Sequence, residues 1–242
     1  MKIHGSKETV QLGMHWDFFT DKIYTDWSYI IPFYVVASVS FALFVGNYSS
    51  IGFFLPFMTK QVTMAFISIQ VRLTDLSRKS KIMKKNEMKF KLKQIIVEHN
   101  NAIRFADDIE QAFNKIYLIK SGLAALFTCF ILFSIFISGS SFFDVFKIGI
   151  FGMVIQMELF VNFYIGDKLT EESEKISDVA YDFPWYDSDI EVRKVLLMIL
   201  RQAQRPIELS AGKFSPISIY SYGRILNAAY SYLMFLKNCI TK

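Results

Sequence analysis

Glu158 is the one acid set deep in an apolar stretch of this 242-residue chain. An ionisable group in such a place is either a working site, for a proton or a substrate, or a carboxylate that is paired or faces water. The sequence leaves both readings open. Little else suggests catalysis. His4, His15 and His99 are scattered, with no metal-ligand spacing around them. There is no glycine-rich phosphate loop, no Cys-x-x-Cys pair and no serine-nucleophile elbow. Cys129 and Cys239 are the two cysteines, and Cys129 reads as a small buried apolar residue. No cofactor, no metal site and no enzymatic activity is expected.

The elements that would carry these residues are apolar. The chain is 52% hydrophobic, 17% aromatic and 20% charged, with mean hydropathy +0.30 and few Gly (11) or Pro (5). That excludes disorder, since too much apolar surface would stay in water. Two cysteines exclude a disulfide-stapled secreted domain. The charge is local. Eight Lys and Arg between Arg78 and Lys93, against Glu87 alone, give that segment +7, while the whole chain carries +5. Apart from Phe90 it lacks interleaved aromatics and it lies between apolar stretches, so a nucleic-acid partner is not expected. It reads as a cytoplasmic loop beside membrane spans, with attraction to anionic inner-leaflet lipid as a secondary role.

A spanning helix needs about 20 mainly apolar residues. Trp27 to Thr59 holds no charge over 33 positions, and Ser121 to Phe143 none over 23. A third span runs from about Phe146 to Gly166 and contains Glu158. The expected fold is all-α, an integral membrane bundle of four spans with cytoplasmic extensions. Long helices are expected at 31–77 (with a kink near Gly46 to Gly52), 95–138 and 144–185, a short amphipathic helix at 189–205 and a last helix at 216–239. Ser188 with Glu191 forms a capping-box pattern. Ser215 as cap with Pro216 at the first position would open the last helix, roughly 34 Å long. Residues 1–30 and the C-terminus would lie outside. Arg224 is expected to snorkel to the inner interface. Asn47-Tyr48-Ser49 fits the glycosylation pattern but lies within a span, so no glycan is expected. Half of Tyr220, Tyr222, Tyr230 and Tyr232 are read as packing or interface residues.

The C-terminal half resembles the insect odorant receptors. The stretch from Gly166 to Glu174, then Ala180-Tyr181 and Trp185-Tyr186, is similar to the family's segment after its sixth helix. Arg193 to Leu197, Arg201 to Pro206, Ser210 to Phe214 with Pro216, and Ala229 to Tyr232 resemble its last-helix region. His99 to Phe105 and on to Glu110 looks like the approach to its fifth helix. The Gln-Phe pair of the related gustatory receptors is absent. The resemblance implies seven helices, of which these four would be the fourth to seventh. It also implies a partial sequence, a truncated isoform or a pseudogene product.

It further implies a ligand-gated, non-selective cation channel for smell. The subunit would join a co-receptor in a heterotetramer in the plasma membrane of olfactory neurons. The last helix would line the pore, and Ile95 to Tyr117 with Asp189 to Gln204 would form an anchor between subunits. Ser231, Phe235 and Cys239 are four apart on one helical face and match the family's pore-facing positions. Phe235 and Cys239 would make an apolar gate that works by dewetting. The other reading of that face is contact with lipid or a neighbouring helix. Lys237 is expected to point away from the pore. Small volatile organic ligands would meet Phe33, Tyr34 and Ala37 on the first span and Phe146 and Ile150 on the third, positions that core packing explains equally well. The alternatives are an unrelated four-span transporter or membrane enzyme using Glu158, or a non-functional truncated receptor.

Overall fold

The computed structural model describes residues 27–80, 82–137 and 142–240. The expected outer segment up to residue 26, the link at 138–141 and the side chains of Asn47, Tyr48 and Ser49 lie outside the described residues. The elements are α1 (Trp27–Lys79), α2 (Lys85–Ile137), α3 (Phe142–Tyr181), a 3-10 turn (Trp185–Asp187), α4 (Ile190–Ala203), β1 (Ser210–Ala211), β2 (Ser215–Pro216) and α5 (Ile219–Ile240). The fold is an all-α membrane bundle, as expected, with one two-residue-per-strand hairpin added. α1 stays helical through Gly46 to Gly52, the stretch read as able to kink.

The chain divides into two compact units, Met1–Ile51 and Gly52–Lys242. In the first, the described side chains from Ile31 to Leu43 are all exposed, and Phe33 meets Tyr34 edge-on at 6.3 Å. The second holds the core. Its buried positions recur in alternating steps of three and four. They are Leu55, Thr59, Val62, Phe66, Ile69, Leu73 and Leu76 on α1, and Met88, Leu92, Ile95, His99, Ala102, Ala106 and Ile109 on α2. Leu159, Asn162, Leu169, Ser173, Ile176 and Ala180 continue the pattern on α3, as do Val192, Leu196, Ile199 and Ala203 on α4. A mean step of 3.5 residues is the signature of helices packed along a coiled-coil-like seam. His99 belongs to that seam, edge-on to Phe66 at 6.0 Å.

α2 has 53 residues, about 80 Å at 1.5 Å per residue, against a bilayer core of about 30 Å. Much of the bundle therefore stands clear of the hydrocarbon. This changes the reading of the lysine-rich segment. It is not a loop: α2 begins at Lys85, ten residues before the expected 95, and only a short turn separates it from α1. Lysine is a good helix former. Glu87 pairs with Lys91 one turn on at 2.8 Å, and Met88 and Leu92 extend the seam. Lys89 lies 32 residues, roughly 48 Å, from Ser121, where the uncharged stretch begins. Lys89 reaches Glu191 on α4 at 2.7 Å.

Three further boundaries differ from expectation. α3 stops at Tyr181 rather than 185, because the residue before Pro184 disfavours helix. α4 is capped by Asp189, whose side chain accepts from the Ile190 N–H at 2.9 Å, whereas Ser188 Oγ donates to the Pro184 carbonyl. α5 starts at Ile219, since Ser215 and Pro216 are taken by the hairpin with Ala211 and Ser210.

Among the described residues three helices are long and apolar enough to span: Gly52–Lys79, Lys85–Ile135 and Val145–Tyr181. The fourth expected span, α5, has the length at 22 residues, but its Tyr, Ser, Asn, Arg and Lys lower its hydropathy.

Leu73→Ala empties a fully buried seam position and should cost about 2–5 kcal/mol. Val71→Ala on the open face should cost about 0.5 kcal/mol or less. Thermal melts in detergent check the contrast. The Glu191 carboxyl is held below its usual value of 4.5, chiefly by its hydrogen bond from Lys89 and then by that charge. A depressed folded pKa stabilises fully above the unfolded value and the benefit is lost as pH falls through the folded one. The melting difference between wild type and Glu191→Gln should hold at neutral pH and close below about pH 4.5.

Candidate functional site

The site is built around α5. β1 and β2 form a hairpin whose turn needs positive φ at Gly212 and Lys213, both 62°. A side chain at Gly212 would also meet Leu118 of α2, with a Cβ 2.6 Å from Leu118 Cδ2. The Gly212 N–H donates to the Asn114 carbonyl at 2.8 Å, and Ser210 Oγ to Glu110 Oε1 at 2.6 Å, so the hairpin is fixed to α2. Its exit sets where α5 begins. Ser218 caps the helix by accepting from the Ser221 N–H at 3.3 Å.

One face of α5 packs inward through Ser221, Tyr222, Ile225 and Ala229. Tyr222 meets Phe160 edge-on at 5.6 Å, and its hydroxyl donates to Gln156 Oε1 at 3.3 Å. Gln156 Nε2 in turn donates to Thr128 Oγ1. A polar bridge thus joins α5, α3 and α2. Of the four tyrosines expected to divide between packing and other roles, Tyr222 is inward, while Tyr220, Tyr230 and Tyr232 are exposed. The opposite face carries Arg224, Asn227, Ala228, Ser231, Phe235 and Cys239, all exposed. The three candidate gate residues therefore share an open face, with Phe235 at 66% exposure. Cys129 is half-buried rather than buried, on a stretch of α2 that turns partly outward.

Glu158 is matched. Lys120 Nζ lies 2.6 Å from its Oε1, and the two side chains are only 10% and 20% exposed. Gly52 makes room for the carboxylate: a Cβ there would stand 2.0 Å from Glu158 Oε1. One turn on, Asn162 Nδ2 donates to the Glu158 carbonyl at 2.8 Å. Of the two readings left open, the structure supplies a paired structural carboxylate. Among the described residues no group of His, Cys, Asp or Glu could hold a metal ion.

The ligand candidates are exposed as well, Phe33, Tyr34 and Ala37 on α1 and Phe146 and Ile150 on α3. The 7tm Odorant receptor family profile matches residues 4–230. The chain belongs to the odorant receptor family. It is 33% identical to Odorant receptor 22c of Drosophila melanogaster over 151 residues, covering 62% of this chain and 37% of that protein. Odorant receptor Or2 of Anopheles gambiae is 26% identical over 146 residues, 60% of this chain and 38% of that protein. The chain thus spans well under half the length of these curated relatives. The olfactory receptor OR5 of Machilis hrabei, solved in complex with eugenol, superposes with a TM-score of 0.70 at 14% identity. That match covers 91% of this chain and 55% of that one. With its family match and its three helices of spanning length, the chain is part of a multi-pass membrane protein.

The motif residues now have physical work. Gly166 passes so close to Ile217 that a Cβ would lie 2.7 Å from its carbonyl oxygen. Thr170 Oγ1 donates to the Ile207 carbonyl at 3.1 Å, and Ser173 Oγ accepts from the Ile207 N–H at 3.0 Å. The motif therefore satisfies the backbone that links α4 to the hairpin. Gln70 of α1 donates to Glu172 Oε2 at 3.0 Å, tying that helix to the same motif. Sequence reasoning missed Lys120, Gly52, Gln156 and Thr128. A lone buried acid signals that a partner exists, but the partner sits 38 residues away with no spacing to mark it.

Lys120→Met strips Glu158 of its partner and should cost about 3–5 kcal/mol. The double replacement Lys120→Met with Glu158→Met should regain most of that loss. A melt series on the three proteins decides it, and a cost below about 1 kcal/mol for Lys120→Met would refute a structural role.

Proposed function

We propose that this odorant receptor chain is a channel-forming subunit that binds small volatile odorants. With a co-receptor it would form a heterotetrameric, ligand-gated, non-selective cation channel in the plasma membrane of olfactory neurons. What carries this reading is the family match over residues 4–230, together with an α5 whose packed face is anchored and whose other face is open. In the proposal the lysine-rich end is cytoplasmic, α5 is the fourth span, and its open face lines the conduction path. Ser231 gives that face a hydroxyl, while Phe235 and Cys239 form the apolar constriction that dewets when closed. Lys237 points away from the path. Phe33, Tyr34 and Ala37 are proposed as ligand contacts on α1, and Phe146 and Ile150 on α3. Their aromatic, uncharged surfaces suit volatile apolar ligands. The receptors opens when ligand binds the open arrangement better than the closed one. The bridge from Tyr222 through Gln156 to Thr128 gives α3 a direct link to α5.

Nothing in the geometry favours the transporter or membrane-enzyme reading, because Glu158 is neutralised by Lys120.

The test is odour-evoked current in cells carrying this chain with a co-receptor. Phe235→Ala should raise odour-independent leak several-fold, and an unchanged leak removes Phe235 from the gate. Surface expression without any current would mark the non-functional alternative.

A further inference from the structure

The turn between α1 and α2 sets a serine among cations. The sequence there is Arg78-Lys79-Ser80-Lys81, with Lys84 and Lys85 following. α1 ends at Lys79 and α2 begins at Lys85, so Ser80 opens the turn. It is half-buried, and its backbone N–H donates to the Ser77 carbonyl at 3.3 Å. Most described serine and threonine hydroxyls are tied down, as Thr74 is to the Gln70 carbonyl and Ser188 to that of Pro184. Among the described residues the hydroxyls of Ser40, Ser68, Ser77, Ser80 and Ser134 make no hydrogen bond. Of these, Ser80 alone lies outside a helix.

The charges around it are only partly matched. Lys79 pairs with Asp75, Lys91 with Glu87, and Lys89 with Glu191. Arg78, Lys84 and Lys85 are exposed and form no ion pair among the described residues. What this end of the bundle lacks is negative charge. A phosphate on Ser80 would bring about −1.5 to −2 charges and three strong acceptor oxygens. The unpaired cations, all within five positions in sequence, are placed to meet it in charge-assisted bonds. The same cations suit a kinase that selects basic residues beside its acceptor through acidic subsites. Such an enzyme takes its acceptor in an extended segment. A helix end held by one long hydrogen bond opens to that form at little cost, whereas Ser77 lies inside the helix.

We propose that Ser80 is a phosphorylation site for a serine kinase of basic specificity, and that Arg78, Lys84 and Lys85 then hold the phosphate and tighten the link between α1 and α2. In the transfer the Ser80 oxygen bonds to the γ-phosphorus of ATP and the bond from that phosphorus to the ADP oxygen breaks. The serine proton passes to the kinase's base. The proposal rests on the cytoplasmic placement of this end, since ATP is needed there.

The test starts with the full chain in detergent, incubated with ATP and a kinase of this class and mapped by mass spectrometry. Ser80 should carry about tenfold more phosphate than any other serine or threonine. Ser80→Ala should lose that label, and Arg78→Gln should slow it several-fold. At low salt the phosphorylated protein should melt a few degrees above the unmodified one. That gain should vanish in the double variant Lys84→Gln with Lys85→Gln, and shrink in concentrated salt. Phosphate going chiefly to another residue overturns the proposal, as does a phosphorylated protein that melts no higher. Sealed inside-out membrane vesicles separate it from the orientation on which it rests. There Ser80→Cys should gain label from a membrane-impermeant maleimide, and wild type should take phosphate at Ser80. Maleimide label without phosphate sinks the proposal alone. Maleimide label only after detergent is added sinks the orientation, and the proposal with it.

Discussion

A seam of apolar residues stepping by three and four holds the second unit together. It runs along four helices, and on α2 it lies largely before the uncharged stretch that begins at Ser121. Where water surrounds the bundle the hydrophobic effect is available in full, whereas between helices in hydrocarbon it is not. Packing is sparser along the uncharged stretches of α2 and α3. Side chains such as Phe127, Phe130, Met153 and Val154 are exposed, and their surface needs no protein cover if lipid provides it.

Close to the apolar stretches, polar pairs take over the fixing of geometry. Lys120 with Glu158 sits beside Gly52, and Gln156 bridges Thr128 and Tyr222. Such pairs gain little net energy over an apolar core, but removing one partner leaves a costly orphan. They therefore fix the register of α2 and α3, and of α5 against both. The Ile207 backbone held by Thr170 and Ser173 does the same for the link into the hairpin.

Much of this was legible in the residues. Uncharged runs placed the apolar stretches, and the motif from Gly166 to Glu174 pointed to the family that residues 4–230 match. The errors share a cause. The lysine-rich segment read as a loop because charge was counted and Met88 and Leu92 were not. Pro216 read as a helix start because it also suits an edge strand, and only the pairing of Ser210 with Pro216 separates the two. Lys120 as partner of Glu158 was out of reach, since nothing local in a chain encodes which residue 38 positions away will face it. The open face of α5 was visible as a spacing, but what covers that face is not encoded by spacing at all.

α5 shows how a helix of spanning length can fall outside the apolar set. A helix surrounded by lipid must be apolar all round, but one that packs on one side and meets protein, water or headgroups on the other need not be. The inward face of α5 holds Tyr222, Ile225 and Ala229, and its outward face Arg224, Asn227 and Ser231. Averaging the two faces gives a middling value that hides both. The polar content that removes α5 from the apolar helices is therefore the property that suits it to stand between a packed bundle and something other than acyl chains.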